Sequence, residues 1–143
     1  MESELKSIKN QTRAAVGIVD RIGNTPLLEV RRVLPKDISE QVRILVKAEW
    51  FNPGGSVKDR PAYRIVKDAM SSGALKPGQG LIDSTSGNTG IAFAMIGAAL
   101  DFPVHLVMPS NVSTERKKIL MGYGANIIYS DPLEGSDGAR RLV

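Results

Sequence analysis

Apolar residues in this chain alternate between short solid runs and longer stretches spaced three and four apart. The solid runs predict strands at Leu27–Val30, Val42–Ala48, Gly80–Asp83, Val104–Met108 and Asn126–Tyr129. Each is too short for a helix, and the first follows the turn-forming cluster Gly23-Asn24-Thr25-Pro26. Runs that are apolar on both faces suit a parallel sheet covered by helices.

The spaced stretches predict the helices. Ala62, Ile65, Val66, Ala69 and Met70 form one stripe, with Pro61 in the first turn and Gly73 as the stop. Thr89–Leu100 is apolar all round and dense in small residues, so it is expected to be buried on most sides. Thr114–Tyr123 is expected to open on Ser113 as N-cap, with Glu115 in its first turn, and to end at Gly122 and Gly124. Leu133–Val143 reads as a loop followed by a helix that has only begun. This strand–helix rhythm predicts an α/β fold with right-handed crossovers and an open twisted sheet.

Composition narrows the chemistry. The 143 residues are 42% hydrophobic and 24% charged, enough for one domain with a real core. No run of about 18 uncharged apolar residues occurs, so no membrane-spanning helix is expected. Met1–Asn10 carries Glu2, Glu4, Lys6 and Lys9, unlike the apolar segment of a secretory signal, and the expected location is cytoplasmic. With no cysteine there is no disulfide, thiolate metal site or catalytic thiol, and the single His105 cannot form a histidine cluster. The net charge of +4 fits a solvated surface. Basic residues are not clustered with aromatics as a nucleic-acid face requires, although an anionic ligand remains compatible.

Two glycine-rich segments stand at strand-to-helix turns, Asn52–Arg60 and Ser84–Gly90. Neither fits a nucleotide loop. Lys58 is followed by Asp59 and not by Ser or Thr, and Gly122-Tyr123-Gly124 precedes a strand and lacks the third glycine of a dinucleotide fingerprint. Thr85-Ser86-Gly87-Asn88-Thr89 instead offers three hydroxyls, an amide and free backbone N–H groups at a helix start, which suits a carboxylate. Lys58 lies beside Arg60 at another helix start, where neighbouring positive charge favours the neutral amine that Schiff-base chemistry requires.

Taken in order, Gly23-Asn24-Thr25-Pro26-Leu27, Ser56-Val57-Lys58-Asp59-Arg60 and Thr85-Ser86-Gly87-Asn88-Thr89-Gly90 closely resemble the cysteine synthase / cystathionine β-synthase family of fold-type II pyridoxal-phosphate enzymes. The resemblance runs from about Val19 to Gly138 and includes Val107-Met108-Pro109 and Tyr123-Gly124-Ala125. It implies a three-layer parallel-sheet sandwich of the tryptophan-synthase-β-like fold, incomplete at the C-terminus. Residues 1–40 would belong mainly to a larger domain, and 41–143 to a small βαβ domain with the beginning of the return to the larger one.

The family pattern makes Lys58 the Schiff-base lysine and general base, and Asn88 the contact to the cofactor's 3-hydroxyl. Thr85, Ser86, Gly87, Asn88 and Thr89 would grip the substrate carboxylate. The implied cofactor is pyridoxal 5'-phosphate. The implied reaction is β-replacement on an O-activated serine, O-acetylserine with sulfide giving cysteine and acetate. The expected partners are that amino acid and a sulfur nucleophile, with no nucleic acid and no membrane, in a homodimer of the complete enzyme.

Family chains are considerably longer, and their phosphate-binding loop and pyridine-nitrogen contact have no counterpart in this sequence. The chain is therefore expected to be an amino-terminal portion, inactive by itself. Cystathionine β-synthase is the nearest alternative, disfavoured by the lack of a cysteine for the haem some members carry. Threonine dehydratase and threonine synthase relatives fit the motifs less well, and a truncated non-catalytic protein is the alternative of another class.

Overall fold

Strands form where the apolar runs predict them, but they make two sheets instead of one. The structure is a computed structural model and describes residues 16–33, 35, 38 and 42–143. The reading of Met1–Asn10 and the domain boundary at residues 40 and 41 lie outside the described residues.

Strands β3 (Leu81–Ser84), β4 (Val104–Pro109) and β5 (Asn126–Ser130) form a parallel sheet with β4 in the middle. Helices α1 (Asp59–Ser72), α2 (Asn88–Leu100), α3 (Thr114–Gly122) and α4 (Gly135–Arg141) accompany it. Val104, Leu106 and Met108 alternate onto one face of β4 and pack with Ala92, Phe93, Met95 and Ile96 of α2. Val66 of α1 and Leu120 of α3 complete that cluster. Val107 is fully buried but lies outside it, on the face where α4 packs across β3, β4 and β5 and buries Ala139. The result is helix, sheet, helix, the three layers expected.

The small residues of α2 have a steric purpose. A Cβ at Gly97 would sit 2.4 Å from a Val104 methyl and 2.9 Å from the Phe102 carbonyl. Only a bare backbone lets α2 lie this close to β4. Helix ends follow the expected chemistry at α1, which stops on left-handed Gly73. Ser113 does precede α3, but its hydroxyl makes no capping bond, and its carbonyl alone accepts the Lys117 N–H at 3.2 Å.

The first two strands depart from the expectation. β1 (Leu27–Val30) and β2 (Ile44–Lys47) pair antiparallel, with Leu27 opposite Lys47 and Val30 opposite Ile44. They are not covered on both faces, since Leu27, Leu28 and Leu45 stay exposed. Antiparallel pairing lets the second strand return along the first, with no need for the right-handed crossover that a parallel pair requires. Among the described residues no helix is long and apolar enough to cross a membrane.

Candidate active site

Helix α1 leads through a short connection into β3, and α2 joins β3 to the parallel β4. Both helices therefore run against the strands and start at the end where the strands finish. Helices α1 and α2 pack on each other. The two glycine-rich turns, one before each helix, thus open at the same end of the sheet. Among the described residues no hydrogen bond joins the two turns.

The turn before α2 is built on apolar packing. Thr85, Ser86 and Gly87 follow β3 and are half-buried, and Asn88 and Thr89 open α2. No side chain caps the helix, so its first N–H groups keep their capacity for a ligand. A Cβ at Gly87 would meet nothing within 4 Å, and this side of the turn is open. The opposite side is tight. A Cβ at Gly90 would lie 3.1 Å from the Thr85 methyl and 3.3 Å from Leu106.

The turn before α1 is built on polar contacts. Lys58 takes the N-cap position with an exposed side chain. Its N–H donates to Ser56 Oγ at 3.1 Å, and its carbonyl accepts from Ala62 at 3.1 Å. Next to it, fully buried Asp59 accepts the Gly54 N–H on Oδ2 at 2.5 Å. Gly54 has to be glycine here, because a Cβ would fall 2.3 Å from Asp59 Oδ1. That Oδ1 is buried without a partner. Burial pushes the Asp59 carboxyl above its ordinary value, the Gly54 N–H partly offsets this, and the charge of Glu49 adds to the rise.

Arg60, expected to bear on Lys58, faces Glu49. Its Nε reaches Glu49 Oε2 at 2.8 Å and its Nη2 reaches Oε1 at 2.9 Å, a two-pronged ion pair. Nη2 also donates to Thr25 Oγ1 at 3.0 Å, and Thr25 donates onward to Glu49 Oε1 at 3.0 Å. Buried Asn52 donates to Glu49 Oε2 at 2.8 Å and accepts the Gly23 N–H at 2.8 Å. The Arg60 guanidinium foremost, with Asn52 and Thr25, holds the Glu49 carboxyl down at about 2 against some opposition from burial.

The β1–β2 register explains this meeting. Leu27 faces Lys47, and the same register carried two residues further sets Thr25 opposite Glu49. Pro26 accepts the Ala48 N–H at 2.9 Å, and Lys47 Nζ donates to the Thr25 carbonyl. Gly23 has φ +88°, and a Cβ there would meet Arg60 Nη1 at 3.0 Å. The Gly23–Leu27 motif is thus physically stapled to the Ser56–Arg60 motif. Of the two residues that make the staple, Asn52 opens the glycine-rich segment legible in the sequence, and Glu49 carried no signal of its own.

This amine, amide and hydroxyl set agrees with a wider likeness. A family model described as pyridoxal-phosphate dependent enzyme matches residues 18–143. The chain belongs to this family. Cysteine synthase of Aquifex aeolicus is 58% identical over 92% of this chain and 40% of its own length. O-ureido-L-serine synthase of Streptomyces lavendulae is 44% identical over 88% of this chain and 38% of its own. A crystal structure of cysteine synthase from Entamoeba histolytica superposes with TM-score 0.81 at 42% identity, over 92% of this chain and 39% of that one. The chain therefore spans about two-fifths of the length of these relatives. Its fold is that of the fold-type II members of the pyridoxal-phosphate family.

The residues present suit the family's cofactor. Lys58 offers an exposed amine to an aldehyde, Asn88 a side-chain amide to a ring hydroxyl, and the uncapped start of α2 its N–H groups to a carboxylate.

Proposed function

We propose that this chain supplies the lysine half of a pyridoxal-phosphate site catalysing β-replacement on an O-activated serine, with cysteine synthase as the specific activity. O-acetylserine and sulfide would be the substrates. The observation that carries this reading is the setting of Lys58: a backbone bonded on both sides, an exposed side chain, and a position at the same end of the sheet as the uncapped start of α2.

In this reading Lys58 would hold the cofactor through its Nζ, and with the substrate amine in its place the same Nζ would receive the proton from the substrate's α-carbon. The bound cofactor supplies the electron sink that no side chain can provide. Asn88 would orient the ring through its hydroxyl. Thr85, Ser86, Gly87 and Thr89 hold the substrate carboxylate with hydroxyl and backbone donors, fixing the α-carbon relative to Lys58. The cofactor phosphate would be held by residues outside these two turns.

We further propose that residues 1–40 belong mainly to a larger domain and 41–143 to a small one, joined by the pairing of β1 with β2. The protein would act in the cytoplasm as a homodimer. The names of the relatives span two different products, cysteine and O-ureido-L-serine, and both carry their new group on the β-carbon of a serine skeleton.

The test is borohydride fixation of the cofactor in the complete natural protein, followed by peptide mapping. The label is expected on Lys58, and a label on Lys47 or Lys67 would refute the assignment. In the same protein Ser86→Ala is expected to lower turnover of the amino-acid donor about 10- to 100-fold, one lost bond to a charged group, with the visible cofactor absorbance intact.

A further inference from the structure

We infer that Glu49 is a positioning residue for Lys58, acting through Arg60, Asn52 and Thr25 to fix the backbone from which the lysine side chain projects. The inference rests on the reading of Lys58 as the cofactor lysine. Arg60 lies two residues beyond Lys58 in the first turn of α1, so wherever Arg60 is held, the Lys58 Cα is held within a helical turn of it. Glu49 grips Arg60 with both carboxylate oxygens and grips Asn52 at the other end of the same glycine-rich turn. The turn is thereby tied at both ends to one carboxylate.

That carboxylate is in turn fixed from outside the turn. Thr25 bridges Glu49 and Arg60, and its own place is set by the antiparallel register of β1 and β2. The Glu49 and Arg60 side chains are 21% and 37% exposed, shielded enough for a two-pronged pair to hold its geometry. Gly54 and Gly55 between these ties supply no stiffness of their own. Without Glu49 the turn would keep the Asp59 contact to Gly54, the Arg60 bond to Thr25 and the Gly23 N–H on Asn52, and would lose the one carboxylate that ties its two ends together.

The experiment compares Thr25→Val, Thr25→Ser and Glu49→Gln in the complete natural protein, well below the unfolding temperature of each. Two quantities are read: the rate at which apoprotein takes up pyridoxal phosphate on Lys58, fixed by borohydride and mapped, and kcat against KM for the amino-acid donor. Thr25→Val keeps the shape and removes the bridge, whereas Thr25→Ser keeps the hydroxyl.

Uptake and kcat are expected to fall about 10-fold in Thr25→Val and further in Glu49→Gln, short of the roughly 100-fold that a 1 Å misplacement costs. KM should stay within about 3-fold, because the carboxylate turn is untouched, and Thr25→Ser should behave as the parent protein. Parental uptake and kcat in both Thr25→Val and Glu49→Gln would overturn the inference, as would equal losses in the Val and Ser variants. If Glu49→Gln does not fold, the Thr25 pair decides. Should the parent protein carry its label on another lysine, the reading of Lys58 fails and the inference with it. A labelled Lys58 with unslowed variants would defeat the inference alone.

Discussion

The two turns of the candidate site are held in place by opposite means. The Ser84–Thr89 turn sits on close apolar packing, with α2 pressed so near β4 that Gly97 has no room for a methyl group and Gly90 only a tight space for one. The Asn52–Arg60 turn sits on charge and hydrogen bonds, with Glu49, Asn52, Thr25 and Arg60 as one network and Asp59 bonded back to Gly54. Apolar packing is insensitive to pH and salt, whereas an ion-pair network responds to both. The two turns of the candidate site should therefore fail under different conditions.

The largest expected effect comes from breaking the packed side. Leu106→Ala removes a fully buried side chain that touches the start of α2, and it should cost about 2–5 kcal/mol in denaturant unfolding of the complete protein. Donor binding should weaken in step, because the turn loses its support. The polar turn should be unaffected at neutral pH.

Breaking the polar side locally should cost less. Gly54→Ala pushes a methyl group into the Asp59 carboxylate and leaves a buried oxygen and an N–H unpaired, a loss of about 1–3 kcal/mol. Gly55→Ala makes a sharp control. That glycine has φ +79° with nothing within 4 Å of a Cβ, so only backbone strain of about 1–2 kcal/mol opposes it. If the two variants were equal, the contact between Gly54 and Asp59 would not be what holds the turn.

Acid should separate the turns most gently. Glu49 is held at about 2, below the ordinary 4.5, so its contribution to stability is complete above about pH 4.5 and is lost as the pH falls toward 2. Asp59 opposes this, since its raised carboxyl favours the folded state on protonation. The melting temperature should fall through this window, more shallowly in Glu49→Gln and more steeply in Asp59→Asn. A Glu49→Gln profile parallel to that of the parent protein would remove the electrostatic half of the contrast.

The packed turn was largely legible in the sequence and the polar one was not. Solid apolar runs and a small-residue helix locate β3, α2 and β4 within a residue or two, because burial imposes its period on every position. Glu49 sits in a short 3-10 turn, Glu49–Phe51, with no period to betray it, and its partners lie 24, 11 and 3 residues away. Its role depends on the antiparallel register of β1 and β2, which a reading that expected one parallel sheet did not provide. A faint signal was available. Two of the three family motifs contain Thr25 and Arg60, a hydroxyl and a charge that each need a partner once covered.

The backbone of Lys58 has a kinetic meaning. Its N–H and carbonyl are both occupied, yet its side chain is exposed and leaves from the cap position, ahead of the first turn of α1. In the role proposed for it, as an anchor and then as a base, this lysine would change place by side-chain rotation alone, a matter of picoseconds to nanoseconds for an exposed residue. No rearrangement of α1 is required. At this residue the clock of the reaction would be set by chemistry and by the arrival of substrate, with the scaffold standing still.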